Sequence, residues 1–227
     1  NTYFQPYGKE NQAIYSISRN VFNELLMDEA EALGTKIYFN HKVENVNVSK
    51  REVEFCLEDG SEKRMTSDVL IGSDGSYSAL RNAFQSQVRF NFYQKFISHG
   101  YKELHIPPTA TGDFALDPNA LHIWPRGKFM LIALPNLDKS FTCTLFLPFE
   151  GYKVSFENIY DDKDINLIFK TYFNDAFDLM PNLLADFKNN PTSALINTEC
   201  YPWTENNALL IGDAAHAMVP FYGQGMN

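Results

Sequence analysis

Apolar residues fall on two rhythms along this chain, and the switches between them lay out the elements. Phe22, Leu25, Leu26, Ala30 and Leu33 recur at three- and four-residue intervals ahead of Gly34, which predicts a helix stopped by glycine. The alternating stretch 14–18 and the run Lys36-Ile37-Tyr38-Phe39 predict short strands on either side of that helix. Val46 and Val48, then Val53, Phe55 and Leu57, alternate with polar neighbours, and Asp59-Gly60 supplies a turn toward Lys63-Arg64-Met65. This is the pattern of a small antiparallel ribbon. The segment 68–72 reads as a short buried strand entering the loop Ser73-Asp74-Gly75-Ser76. Ser78 is then placed to cap a helix that carries Arg81 in its first turn.

Beyond residue 85 the rhythm shortens to that of strands. Segments 99–106, 120–125, 129–134 and 141–147 follow one another and predict an antiparallel sheet with mixed apolar faces. Residues 151–190 return to a helical, acidic pattern, with Phe169, Tyr172, Phe173, Phe177 and Leu183 on the apolar side. The segment 208–213 is a second buried strand leading into a glycine-containing loop. No internal repeat or low-complexity tract interrupts this order. A helix-and-ribbon unit over 1–84, an antiparallel sheet with helices over 85–200 and a return strand with its loop over 201–227 make an α+β fold the economical reading.

Composition narrows the classes of function. The 227 residues are 44% hydrophobic and 21% charged, an ordinary globular balance that excludes a disordered segment. Acids outnumber bases by 28 to 19, for a net charge of -9, and no run of Lys or Arg offsets the excess. Nucleic acid and anionic membrane surfaces are therefore excluded as expected partners. Cys56, Cys143 and Cys200 stand far apart, which argues against a disulfide framework or a cysteine-rich zinc site and fits a reducing, cytoplasmic compartment. The longest apolar run, 129–134, falls far short of the roughly 18 residues that span a bilayer. The opening Asn1-Thr2-Tyr3-Phe4-Gln5 is not a signal peptide. Aromatic residues make up 15%, with 19 Phe, so a core or pocket lined by rings is expected.

Two segments share one grammar. Val69-Leu70-Ile71-Gly72-Ser73-Asp74-Gly75 and Leu209-Leu210-Ile211-Gly212-Asp213-Ala214-Ala215 each set a carboxylate just past a buried strand. Ligands of open α/β layers bind where strands end, and glycine lets backbone approach them closely. Asp there can accept from ribose or ribityl hydroxyls, or it can simply cap a turn or helix. Both readings stay open on the residues alone. His216, just after the second Asp, is in the same way either a packed structural residue or an acid–base group.

The longer runs Asp68-Val-Leu-Ile-Gly-Ser-Asp74-Gly-Ser-Tyr-Ser78-Ala-Leu-Arg81 and Gly212-Asp213-Ala-Ala-His216-Ala-Met-Val-Pro220 resemble the paired motifs of the single-component, FAD-dependent aromatic hydroxylases. Leu121-His-Ile-Trp-Pro-Arg126, Phe129–Pro135, Phe141–Phe146 and Val219–Asn227 are similar to the kynurenine-hydroxylating branch of that family. The resemblance implies FAD and NADPH as cofactors, O2 as co-substrate and L-kynurenine as substrate, with hydroxylation beside the ring amino group. Tryptophan degradation and NAD biosynthesis would be the metabolic setting. It also implies that 1–84 and 201–227 are parts of an FAD-binding domain and 85–200 a substrate domain.

By position, the resemblance places Arg19, the backbone at Val43, Asp74, Asp213, Met226 and Asn227 against FAD or on the path of NADPH. Tyr7 and Phe146 fall on the substrate, and Pro220 and Phe221 form the wall beside the reactive flavin carbon. The chemistry then belongs to the cofactor, and the chain holds the ring and keeps water out. The family's Gly-x-Gly-x-x-Gly unit, which seats the FAD pyrophosphate, does not occur in this sequence. The expectation is a middle portion of a longer hydroxylase that is inactive alone, with a membrane anchor at the mitochondrial surface if that hydroxylase is eukaryotic. Alternatives are another FAD-dependent aromatic hydroxylase or a catalytically silent binding piece.

Overall fold

In the computed structural model, which describes residues 3–6, 8, 15–86 and 89–222, the chain divides into two units. One combines 1–35 with 101–192, and the other combines 36–100 with 193–227. Helix α1 (Arg19–Ala32) opens the first unit and ends as its spacing predicts. The Leu33 amide donates to the Glu29 carbonyl at 3.1 Å, and Gly34 takes a φ of +91° that favours glycine. Its apolar stripe is left uncovered: no α1 residue is buried, and Val21, Leu25 and Leu26 are each about half exposed.

Strands β1 (His41–Asn47), β2 (Glu52–Leu57) and β3 (Glu62–Thr66) form the expected antiparallel ribbon in the second unit. Val43 pairs with Phe55 and Val46 with Val53, across a bulge between Val43 and Asn45. Strand β4 (Leu70–Gly72) then leads to helix α2 (Ala79–Phe84). Ser78 caps that helix, its hydroxyl accepting from the Arg81 amide at 2.9 Å. Leu80, Phe84, Val46, Val48, Ala208 and Leu210 make the core of this unit.

Strand β5 (Asn91–Ile106) begins in the second unit and continues into the first. There β6 (His122–Pro125), β7 (Met130–Pro135) and β8 (Phe141–Pro148) pair antiparallel, and β5 follows β8 in the sheet order. Helices α3 (Asp162–Tyr172), α4 (Asn174–Phe177) and α5 (Leu183–Asn189) supply the apolar side expected of 151–190. Asp161 and Asp164 form a capping box at the start of α3. Phe169 and Phe173 pack with Leu131, Phe141 and Leu145 in the core of the first unit. Lys102, on β5, is buried and donates to the carbonyls of Phe187 at 2.9 Å and Asn190 at 2.7 Å, where α5 ends. A cation there offsets the negative end of the helix, while burial lowers the ammonium pKa.

Strand β9 (Thr192–Tyr201), which the apolar rhythm does not predict, flanks β5 in the sheet order. The short β10 (Thr204–Glu205) and β11 (Ala208–Leu210) and the turn-length helix α6 (Asp213–His216) complete the second unit. Two expected strands are corrected. Residues 15–18 and Lys36–Phe39 are not strands, and Tyr38 and Phe39 are 50% and 65% exposed, so the latter run has no core to enter.

Cys143 lies fully buried on β8, and burial pushes its thiol up to about 12. At pH 8 the thiolate, the reactive form, is then scarcer than in a free cysteine by roughly a thousandfold. Mass-resolved alkylation of the native protein should therefore leave Cys143 unlabelled under conditions that label it fully in denaturant. Equal labelling in both states would show that this part of the sheet is open.

Candidate functional site

Two adjacent strands bring the paired motifs together. Strands β4 and β11 run parallel, with Leu70 opposite Ala208 and Gly72 opposite Leu210, and the Ile211 amide donates to the Gly72 carbonyl at 3.0 Å. Because the strands are parallel, the loops carrying Asp74 and Asp213 leave from the same end of the sheet. The glycines of the two motifs serve different needs. A Cβ on Gly72 would meet Leu80 Cδ2 at 2.8 Å, so glycine there lets α2 lie against the strand. Gly212 has φ +57° and ψ -141°, and a Cβ built on it would meet nothing within 4 Å. Its backbone therefore borders open space that a ligand can approach.

The two carboxylates are used differently. Asp74 Oδ2 accepts from the Ala79 amide at 2.7 Å and the Leu80 amide at 3.3 Å, so it closes the amino end of α2. Asp213 begins α6, is exposed and makes no capping bond at its helix. Its carboxylate is the acceptor presented at the mouth of the paired loops.

Arg81, which the sequence marks only as a helix residue, is the side chain that joins those loops. It is 2% exposed, and its guanidinium donates to the Ala214 carbonyl at 2.7 Å and to the Ser76 carbonyl. Its carbon lies 4.8 Å from the centre of the Phe92 ring, and burial lowers its pKa. Gln94 of β5 also donates to the Ser76 carbonyl, at 2.9 Å, and to the Thr198 hydroxyl at 3.2 Å. Strand β9 backs the second loop: the Thr198 amide donates to the Ala217 carbonyl at 2.7 Å, and the Cys200 thiol to that of Ala215 at 3.2 Å. His216 lies with its ring centre 5.2 Å from that of Trp203, a packing contact.

The other candidates fall as follows. Val43 packs its side chain against the second unit's core, which leaves its backbone as the part able to meet a ligand. Pro220 and Phe221 sit in an exposed 3-10 turn after α6, held by the Val219 amide donating to Asn197 Oδ1 at 3.0 Å. In the first unit, Arg19 is exposed at the start of α1, and Phe146 is buried on β8 with its ring 6.4 Å from that of Tyr101. Tyr7, Met226 and Asn227 lie outside the described residues. Among the described residues no cluster of His, Cys, Asp and Glu could hold a metal ion, and no helix is long and apolar enough to cross a membrane.

Residues 7–150 and 171–227 match the FAD binding domain family. The chain belongs to that family. It is 48% identical over 226 residues to the kynurenine 3-monooxygenase of Flavobacterium psychrophilum, covering 99% of this chain and 50% of the relative. The kynurenine 3-monooxygenases of Dictyostelium discoideum and Sus scrofa are each 42% identical, over 99% and 98% of this chain and 48% and 47% of their own lengths. The chain thus spans about half the length of the curated relatives it matches. Among solved structures, the Y270A mutant of 2-methyl-3-hydroxypyridine-5-carboxylic acid oxygenase superposes with a TM-score of 0.69 at 20% identity, covering 92% of this chain and 53% of that one. The tetracycline destructase Tet(51) does so with a TM-score of 0.57 at 19% identity, over 90% of this chain and 53% of that one. At such identities these two show the fold, and it is the α+β, aromatic-hydroxylase type expected from the motifs.

Proposed function

We propose that the protein carrying this chain is an FAD-dependent monooxygenase that uses NADPH and O2 to convert L-kynurenine to 3-hydroxykynurenine. The observation that carries the reading is identity of 42–49% to kynurenine 3-monooxygenases across nearly the whole of this chain. The site supports it through its donor set: an exposed Asp213 carboxylate beside an open Gly212 backbone is suited to polyol hydroxyls and a flat ring edge.

FAD, when bound, takes two electrons from NADPH and activates O2; one oxygen atom goes to the ring and the other leaves as water. The residues of this chain bind and orient. Asp213 would accept from a ribityl hydroxyl, and the backbones at Val43, Met226 and Asn227 and the side chain of Arg19 would hold the rest of the cofactor. Asp74 would keep the first loop in place from the end of α2. Pro220 and Phe221 would wall the reacting edge against water, and Tyr7 and Phe146 would seat kynurenine.

The test is the full-length protein purified with its flavin. It should be yellow, should oxidise NADPH faster when kynurenine is added, and should release 3-hydroxykynurenine in amounts matching the stimulated oxidation. Stimulation by another aromatic acid with none by kynurenine would overturn the substrate. A protein that takes up no FAD would overturn the reading as a whole.

A further inference from the structure

We propose that Arg81 is a positioning residue that couples the two Asp loops, its guanidinium spanning the Ser76 carbonyl in one and the Ala214 carbonyl in the other. The two acceptors stand 138 positions apart in sequence and are joined through one planar group. No carboxylate hydrogen-bonds that group. A guanidinium hidden to 2% exposure and used only on main-chain carbonyls sacrifices hydration without gaining an ion pair at contact. What the arrangement gains is geometry. The fork of donors fixes two backbone segments relative to each other, which a flexible ammonium with a single point of attachment does poorly. The surroundings hold the fork itself: Phe92 lies against it, Ser78 accepts from its own amide at 2.9 Å, and Gln94 shares the Ser76 carbonyl.

The consequence is coupling. Ala214 directly follows Asp213, so a ligand that draws on the Asp213 carboxylate pulls on a backbone that Arg81 ties to Ser76. Order in one loop is then felt in the other, as linkage through a shared element requires. What the loops hold rests on the flavin reading above, whereas the coupling stands on contacts within this chain.

Hydrogen exchange on wild type, Arg81→Lys and Arg81→Met, with and without added FAD, tests this in the full-length protein. Without FAD, the amides of 212–218 should exchange about ten- to a hundredfold faster in Arg81→Met, as expected for the loss of one or two hydrogen bonds from a charged donor. Arg81→Lys should fall between. The ribbon β1–β3 and strands β6–β8 should be unchanged. In wild type, FAD should slow exchange in 73–81 and 212–218 over the same range of concentration, and in Arg81→Lys only in 212–218. Unchanged exchange at 212–218 in both variants would overturn the proposal. So would equal acceleration across the whole second unit, which is what a merely structural residue would produce. If Arg81→Met does not fold, Arg81→Lys and the wild-type FAD titration still decide. Failure of wild type to bind FAD would overturn the flavin reading, and the FAD-free comparison would still judge the coupling.

Discussion

Replacing Phe173 with Ala is expected to cost about 3–5 kcal/mol of stability, the range for deleting a fully buried aromatic ring. Phe173 has no exposed surface and sits where α3 hands over to α4, which is why one ring serves so many neighbours. Its centroid lies 5.5 Å from Phe169 and 6.0 Å from Phe129, and the Arg126 guanidinium stands 5.5 Å from the ring. Truncation leaves a cavity that three partners on different elements cannot fill together. Urea unfolding followed by tryptophan fluorescence should show a lower midpoint, and Trp124, in the same core, reports directly on this unit. A loss under 1 kcal/mol would mean that the helices over 162–189 repack freely against the sheet.

The largest effect on ligand binding is expected at Asp213. In the full-length protein, Asp213→Ala should raise the FAD dissociation constant about 10- to 150-fold, because a hydrogen bond to a charged acceptor contributes roughly 1.5–3 kcal/mol. The unfolding midpoint should hardly move, since the side chain is exposed and caps nothing. The same substitution at Asp74 should do the reverse in part, lowering stability by about 1 kcal/mol through loss of a helix cap. Flavin fluorescence titration and thermal unfolding separate the two effects. Unaltered FAD affinity in Asp213→Ala would make Asp213 a turn residue and nothing more.

Those two aspartates show how far a sequence can be read. Local signals were legible wherever a short segment settles its own structure: Ser78 capping α2, Gly34 ending α1, Asp59-Gly60 turning the ribbon, the strand rhythm of β6–β8. The expectation failed where burial is decided elsewhere. Lys36–Phe39 has the composition of a strand but no partner, and β9 is a strand despite its Thr, Ser, Asn and Glu because Leu195, Ile196 and Thr198 are buried. At the site, the matching grammar of 69–75 and 209–215 announced that two loops belonged together, and the parallel pairing of β4 with β11 brings them to one end of the sheet. The role of Arg81 was not legible, since its partner Ala214 lies 133 positions away and no local pattern encodes that bond. The only hint was a lone cation seven residues past Asp74 in a helix otherwise made of small and apolar residues.

The sheet formed by β10, β11 and β4 carries a consequence for anyone who handles this span by itself. Strand β4 is its outer strand among the described residues, and its unpaired side offers amides and carbonyls to any passing chain. Parallel strands ordinarily have both faces covered, yet here one face packs on the core while Val69, Ile71 and Ile211 are 58%, 60% and 43% exposed on the way into the loops. A greasy surface bordering an open hydrogen-bonding edge is a template for self-association, and its sticking grows with concentration. Dilute solution, a fused solubilising partner or co-expression with a chain able to lie along β4 are therefore the conditions under which these 227 residues stay single.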